Sequence, residues 1–302
     1  MITVPRGAAP TGAGILVVDK PAAATSHDVV AAVRRLAATR KVGHAGTLDP
    51  AATGVLVLGI GVGTKLLTYL SGADKDYESR FRLGQATDTE DADGQILSTP
   101  GIAATDEEID AALRALNGPI DQVPSAYSAK KIDGKRAYDL ARAGEKVELK
   151  VVPVTIDRLE RTGPIDRHDN LADFDIEVTC STGTYVRALA RQTGQLLGSE
   201  GHITHLRRTR VGGFTLHGAS TIEELSRQAE RGAVEVVGMA EAARRSMPHV
   251  EISAKQEQAV RYGQFITVEA DSFPLALIRD DRLVAVGTRR GNQVGPATVF
   301  QD

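Results

Sequence analysis

The segment Lys41-Val-Gly43-His44-Ala-Gly46-Thr-Leu-Asp49-Pro50-Ala-Ala-Thr53-Gly54 packs glycine, histidine, aspartate and proline into a tight turn before an apolar run. A turn of this composition would hold one carboxylate rigidly at a sheet end, beside an imidazole. Such a carboxylate can serve as a nucleophile or as a fixed negative charge at a reacting centre. It can equally cap a local backbone amide, and composition alone leaves both readings open.

Other chemistries fail on spacing. Gly59-Ile-Gly61-Val-Gly63-Thr64-Lys65 lacks the four residues between glycines and the Gly-Lys-Ser/Thr ending of a phosphate loop, and has Thr64 where a dinucleotide fingerprint needs glycine. Asp88, Glu90, Asp91 and Asp93 before Gly94 are dense enough for calcium. However, Thr89 and Pro100 stand where that loop wants an acidic residue and a glutamate, so a structural turn is expected. His44, His202 and His205 share no helix face, so no metal site is expected. The single cysteine, Cys180, excludes an intramolecular disulfide and reads as a buried thiol.

The chemistry-bearing turn needs elements on both sides. Ile15–Val18 reads as a buried strand ended by Pro21. Ser26 is placed as the cap of a helix whose Val29, Val30, Val33 and Leu36 keep the helical period. Strands are expected at Val55–Ile60, Tyr77–Leu83, Val147–Leu159, Phe174–Cys180 and His202–Val211. Helices are expected after Thr105 with Glu108, over Thr184–Leu197, after Ser220 with Glu223 and after Ser253 with Gln256. A hairpin is expected around Arg279–Arg282. Residues 121–147 lose both periods and turn basic and tyrosine-bearing, the pattern of a functional loop. The fold class is α+β, with a mixed, largely antiparallel central sheet flanked by helices. A domain boundary is set near residue 245, giving 1–244 and 245–302.

With 302 residues, 42% apolar and 25% charged, the chain can bury a sizeable core. The net charge of −3 shows that the protein is no overall polycation, so any nucleic-acid site must be local. Residues 34–41, 130–136 and 207–210 concentrate 11 of the 36 basic residues with one acid, Asp133. No apolar run is long enough to span a bilayer. A cytoplasmic protein without membrane contact is expected.

Five ordered blocks resemble the TruB family of pseudouridine synthases. They are Gly14-Ile-Leu-Val-Val-Asp-Lys20-Pro21 with Thr25-Ser26-His27; Gly43–Leu56; Asp74-Lys75-Asp76-Tyr77 with Arg82–Gly94; Pro124–Lys131 with Gly134-Lys135; and Cys180–Arg187 with Gly201–Thr209. Glu90, and Ser125 where proline is frequent, depart from the pattern. The C-terminal Val250–Phe300 resembles a PUA RNA-binding domain through its hairpin and Tyr262-Gly263-Gln264.

The resemblance implies the pseudouridine synthase fold with a small β-rich PUA-like domain. It also implies isomerisation of uridine 55 in the T-arm of transfer RNA, without cofactor or metal, by a monomer. It assigns Asp49 to the sugar-base centre, Arg187 to its ion pair, and Tyr77 to the face of a flipped base, with Tyr185 and Leu206 closing the pocket. His44 is expected to fill the vacated space. Lys20, Lys130, Lys131, Arg207 and Arg208 are expected at RNA or loop contacts, and the stretch near 121–147 is expected to grip RNA. A synthase for another RNA, or a chaperone folding transfer RNA without catalysis, are the competing readings. If the basic segments converge on RNA, log affinity will fall linearly with log salt, by about 0.7–0.9 per neutralised phosphate. Filter binding across a salt series reads this slope, and a flat line would contradict convergence.

Overall fold

A computed structural model of the protein describes residues 2–125, 131–132, 135–136 and 150–300. The chain divides into two compact units. The first comprises Met1–Pro50, Gly54–Ala73 and Val211–Asp302, and the second Ala51–Thr53 and Asp74–Arg210. The C-terminal residues after 245 therefore fall in the same unit as the N-terminal strands, a grouping that sequence order alone hides. Both units mix helices with largely antiparallel sheets.

In the first unit the apolar run forms the strand Thr53–Ile60. Ile60 pairs with both Gly14 and Val42, so the strands Gly14–Lys20 and Val42–Ala45 occupy its two edges. Side chains alternate across a strand, and here both faces are covered. Leu16, Val18, Leu56, Leu58 and Ile60 pack with Val29, Val33 and Leu225 from the helices Ser26–Leu36 and Ile222–Arg231. Ile15, Val17, Val55 and Val57 pack on the opposite side with Phe214, Ala243 and Ile278. Two covered faces explain why this strand reads as a continuous apolar run rather than an alternating one.

The glycines tested above for nucleotide binding serve packing instead: a Cβ on Gly63 would meet the carbonyl oxygen of Gly14 at 2.3 Å. A four-stranded sheet orders His249–Glu251, Leu275–Arg279, Arg282–Arg290 and Gln293–Val299. The expected hairpin is its centre, with Asp280 and Asp281 both at positive φ in the turn.

In the second unit the strand order is Gly201–Val211, Lys75–Leu83, Leu171–Cys180, Val152–Arg161 and Gly118–Gln122. Lys75–Leu83 alternates cleanly, with Lys75, Tyr77, Ser79, Phe81 and Leu83 inward. Phe81 lies opposite Phe174 in register, their ring centroids 6.0 Å apart. The helices Asp106–Ala115 and Val186–Leu196 belong to this unit. Gly118–Gln122 is a strand within a stretch read as loop.

Two helix caps sit one residue away from the expected position. Thr25, not Ser26, caps the first helix and makes a capping box with Asp28. Thr221, not Ser220, does so with Glu224. The boxes at Thr105 with Glu108 and at Ser253 with Gln256 form as expected. Leu58, fully buried in the strand shared by both faces, sets a test of this packing: Leu58→Ala should lower unfolding free energy by about 2–5 kcal/mol, read by urea denaturation.

Candidate active site

Asp49 lies in the loop between Val42–Ala45 and Thr53–Ile60 and is half-buried. Gly46 and Gly54, either side of it, adopt φ of 79° and 99°, which residues with a Cβ rarely tolerate. The loop is fixed from both directions by buried polar side chains. On the N-terminal side, the Ser26 hydroxyl accepts from the Leu48 amide at 2.9 Å and donates to the Leu48 carbonyl at 3.2 Å. On the C-terminal side, the Lys20 ammonium donates to the Pro50 carbonyl at 3.0 Å, and also to Ala24 at 2.6 Å and Pro21 at 2.9 Å. Asp49 thus sits between two residues whose backbones are clamped, which is how a loop can present a carboxylate as rigidly as a regular element would.

Lys20 is 0% exposed, which corrects its expected role: it is a loop clamp and makes no phosphate contact. His44 pairs with Leu58 in register and lies edge-on to His27, ring centroids 5.6 Å apart.

In the second unit, Arg187 opens the helix Val186–Leu196 and is buried. Its Nη1 donates to the Thr89 carbonyl at 2.8 Å and to the Ser125 hydroxyl at 3.4 Å, and lies 3.7 Å from the Asp91 carboxylate. The start of that helix is set by Gln122, whose side-chain amide accepts from the Tyr185 amide at 2.9 Å and donates to its carbonyl at 3.4 Å. Sequence reasoning missed Gln122, because a glutamine in an aperiodic stretch carries no signal. Asp91 was read only as part of a turn. The turn is nonetheless structural in part: Asp88 accepts from the Gln95 amide and Asp91 from the Asp93 amide. Among the described residues no group of histidine, cysteine and carboxylate side chains is arranged for a metal.

Tyr77 is buried on the inward face of its strand, beside Lys75. Burial, with the nearby Arg208 charge, pushes the Lys75 ammonium below its ordinary pKa. Cys180, opposite Lys75 in register, has its thiol pushed up to about 11 by burial and stays protonated at neutral pH. Burial likewise lowers His202, whose Nδ1 meets the Gln85 carbonyl at 3.0 Å. Tyr185 and Leu206 are half-buried.

Arg207 donates to the Thr53 hydroxyl at 3.2 Å, four residues along the chain from Asp49. Arg208 is 1% exposed, so it is no surface phosphate contact, a second correction. Arg210 is held by Asp74 and Asp76, and Arg34 and Arg35 donate to backbone carbonyls. The basic segments therefore offer less free charge than their composition. Lys130 lies outside the described residues. Lys131 belongs to a short strand pairing with Lys135–Arg136.

Comparison with known proteins decides the family. The TruB family pseudouridylate synthase N-terminal domain matches residues 34–186, and the tRNA pseudouridylate synthase B C-terminal domain matches residues 187–237. The chain belongs to the TruB family of pseudouridine synthases. It is 46% identical over 299 residues to the tRNA pseudouridine synthase B of an Arthrobacter species, covering 95% of this chain and 96% of that protein. It is 51% identical over 282 residues to that of Mycobacterium tuberculosis, covering 90% and 93%. Among solved structures, an H/ACA ribonucleoprotein bound to a substrate RNA containing 2'-deoxyuridine superposes with a TM-score of 0.70 at 23% identity, covering 96% of this chain and 85% of that chain. An archaeal box H/ACA Nop10-Cbf5 complex gives 0.68 at 22%, covering 99% and 94%. These likenesses show a shared fold.

Within this TruB-family chain, Lys20 has a measurable signature. Lys20→Met removes the donor from three carbonyls and should cost at least the roughly 1–3 kcal/mol of one buried unsatisfied acceptor in urea denaturation. Because Lys20 does not reach solvent, the salt slope of RNA binding should stay unchanged.

Proposed function

We propose that this protein converts uridine 55 in the T-arm of transfer RNA to pseudouridine. The observation that carries the reading is the doubly clamped Asp49 loop in a chain of the TruB family. Conversion breaks the C1'–N1 glycosidic bond, turns the uracil and joins C5 to C1', releasing the C5 proton while N1 gains one. Atoms and electrons balance within the nucleotide, so the reaction itself calls for neither oxidant nor water.

Asp49 supplies the carboxylate at the sugar-base centre, and Arg187 is its ion-pair partner. A permanently charged, planar guanidinium suits that task, since it keeps the carboxylate ionised and oriented. The target base must leave the stack to be reached. Tyr77 receives its face, Tyr185 and Leu206 close the pocket, and His44 fills the space the base vacates. Arg207 and Lys131, with Lys130, contact the RNA backbone, and the stretch near 121–147 grips the arm. Residues 245–302 act as a PUA-like RNA-binding appendage to a catalytic part at 1–244, and the protein works as a cytoplasmic monomer.

Tritium release from C5-labelled uridine in unmodified transfer RNA tests the reading. Wild type should release tritium without added nucleotide or metal, and Asp49→Asn should lose roughly 10³-fold or more of the rate while still binding RNA. Equal release by both proteins would refute the role of Asp49. Binding without release by wild type would favour the chaperone reading.

A further inference from the structure

The acidic loop and the helix that carries Arg187 share a second cross-link, built from a residue that departs from the family pattern. Arg191 lies one helical turn beyond Arg187. One of its guanidinium nitrogens meets the Glu90 carboxylate, and another donates to the Val123 carbonyl at 2.6 Å. Both side chains are largely buried, Glu90 at 14% exposed and Arg191 at 20%. The second carboxylate oxygen of Glu90 is buried without a hydrogen-bond partner among the described residues. Glu90 also adopts φ of 61°, a left-handed conformation that a residue with a Cβ avoids unless its surroundings impose it.

The neighbours of Glu90 give the pair its meaning. Thr89 and Asp91, on either side, are the residues that hold Arg187, and the Glu90 carbonyl accepts from the Ile203 amide at 3.2 Å. Two arginines spaced i and i+4 on a helix repel. Here each faces one carboxylate of the same loop, Arg187 with Asp91 and Arg191 with Glu90. Without the Glu90 charge, Arg191 would compete with Arg187 for Asp91.

We infer that Glu90 and Arg191 are a positioning pair: they fix the acidic loop against the helix and so set where the Arg187 guanidinium sits. The inference rests on the proposed isomerisation. Neither residue touches the substrate; both act through Arg187. Burial raises the Glu90 carboxyl above its ordinary pKa despite Arg191 and Arg187, so its negative charge is lost at a higher pH than that of an exposed glutamate. Full positioning should therefore hold above that raised pKa and fade as pH falls through it.

Steady-state tritium release by the full-length protein on unmodified transfer RNA tests the pair. Glu90→Gln keeps the shape and removes the charge, so kcat should fall about fivefold or more with KM for RNA little changed. Its acid limb should move to lower pH. Adding Arg191→Met to Glu90→Gln removes the uncompensated cation and should make the double variant faster than Glu90→Gln alone. A merely structural role would make the losses accumulate. An active wild type with a Glu90→Gln loss below about fivefold, an unmoved acid limb, or a double variant no faster than the single would overturn the pair. An inactive wild type would instead overturn the isomerisation.

Discussion

A carboxylate on a loop is only as well placed as the backbone on either side of it, and here that placement depends on a buried ammonium. Lys20 is enclosed by the carbonyls of Pro21, Ala24 and Pro50. A charge in that position is tolerable only because each of its protons finds an acceptor. The requirement runs both ways. The carbonyls must converge to hold the cation, and their convergence ties the end of one strand, the start of the first helix and the residue after Asp49 into one rigid corner. Ser26 completes it from the other side through Leu48. The conformation of the whole Gly43–Gly54 turn follows from these two buried groups and from the glycines that let the chain bend between them.

The second unit solves a comparable problem with different groups. Arg187 is buried, and its donors reach a carbonyl, a hydroxyl and a carboxylate drawn from two segments far apart in sequence. Arg82 is held in a bidentate pair by Asp173 at 2.8 and 2.7 Å, and Arg210 by Asp74 and Asp76. Buried or half-buried cations thus organise the loops of both units. This accounts for a chain that is mildly acidic overall yet rich in arginine at its motifs: many of those arginines hold the protein together rather than face RNA.

The α+β class, the central strands, the capping boxes at Thr105 and Ser253 and the family itself were legible in the sequence, because each rests on local spacing. The one-residue error at the first helix was avoidable. Counting three from Thr25 reaches Asp28, whereas three from Ser26 reaches Val29, and only the former can close a capping box. At Ser220 and Thr221 both counts end on a glutamate, and tertiary packing decides. The burial of Lys20 and Arg208 was not legible, since the partners printed for Lys20 are backbone carbonyls, which every sequence supplies everywhere. The grouping of residues 211–302 with the N-terminal strands was hidden for a related reason: long-range packing leaves no mark on local pattern.

The central claim is that the clamped Asp49 loop serves the isomerisation of a single uridine. Mapping the product on unmodified transfer RNA tests it most directly, by carbodiimide labelling and reverse transcription after incubation with the full-length protein. The account predicts one new stop, reporting pseudouridine at position 55 of the T-arm. Stops at other uridines, or none in RNA that the protein demonstrably binds, would contradict it.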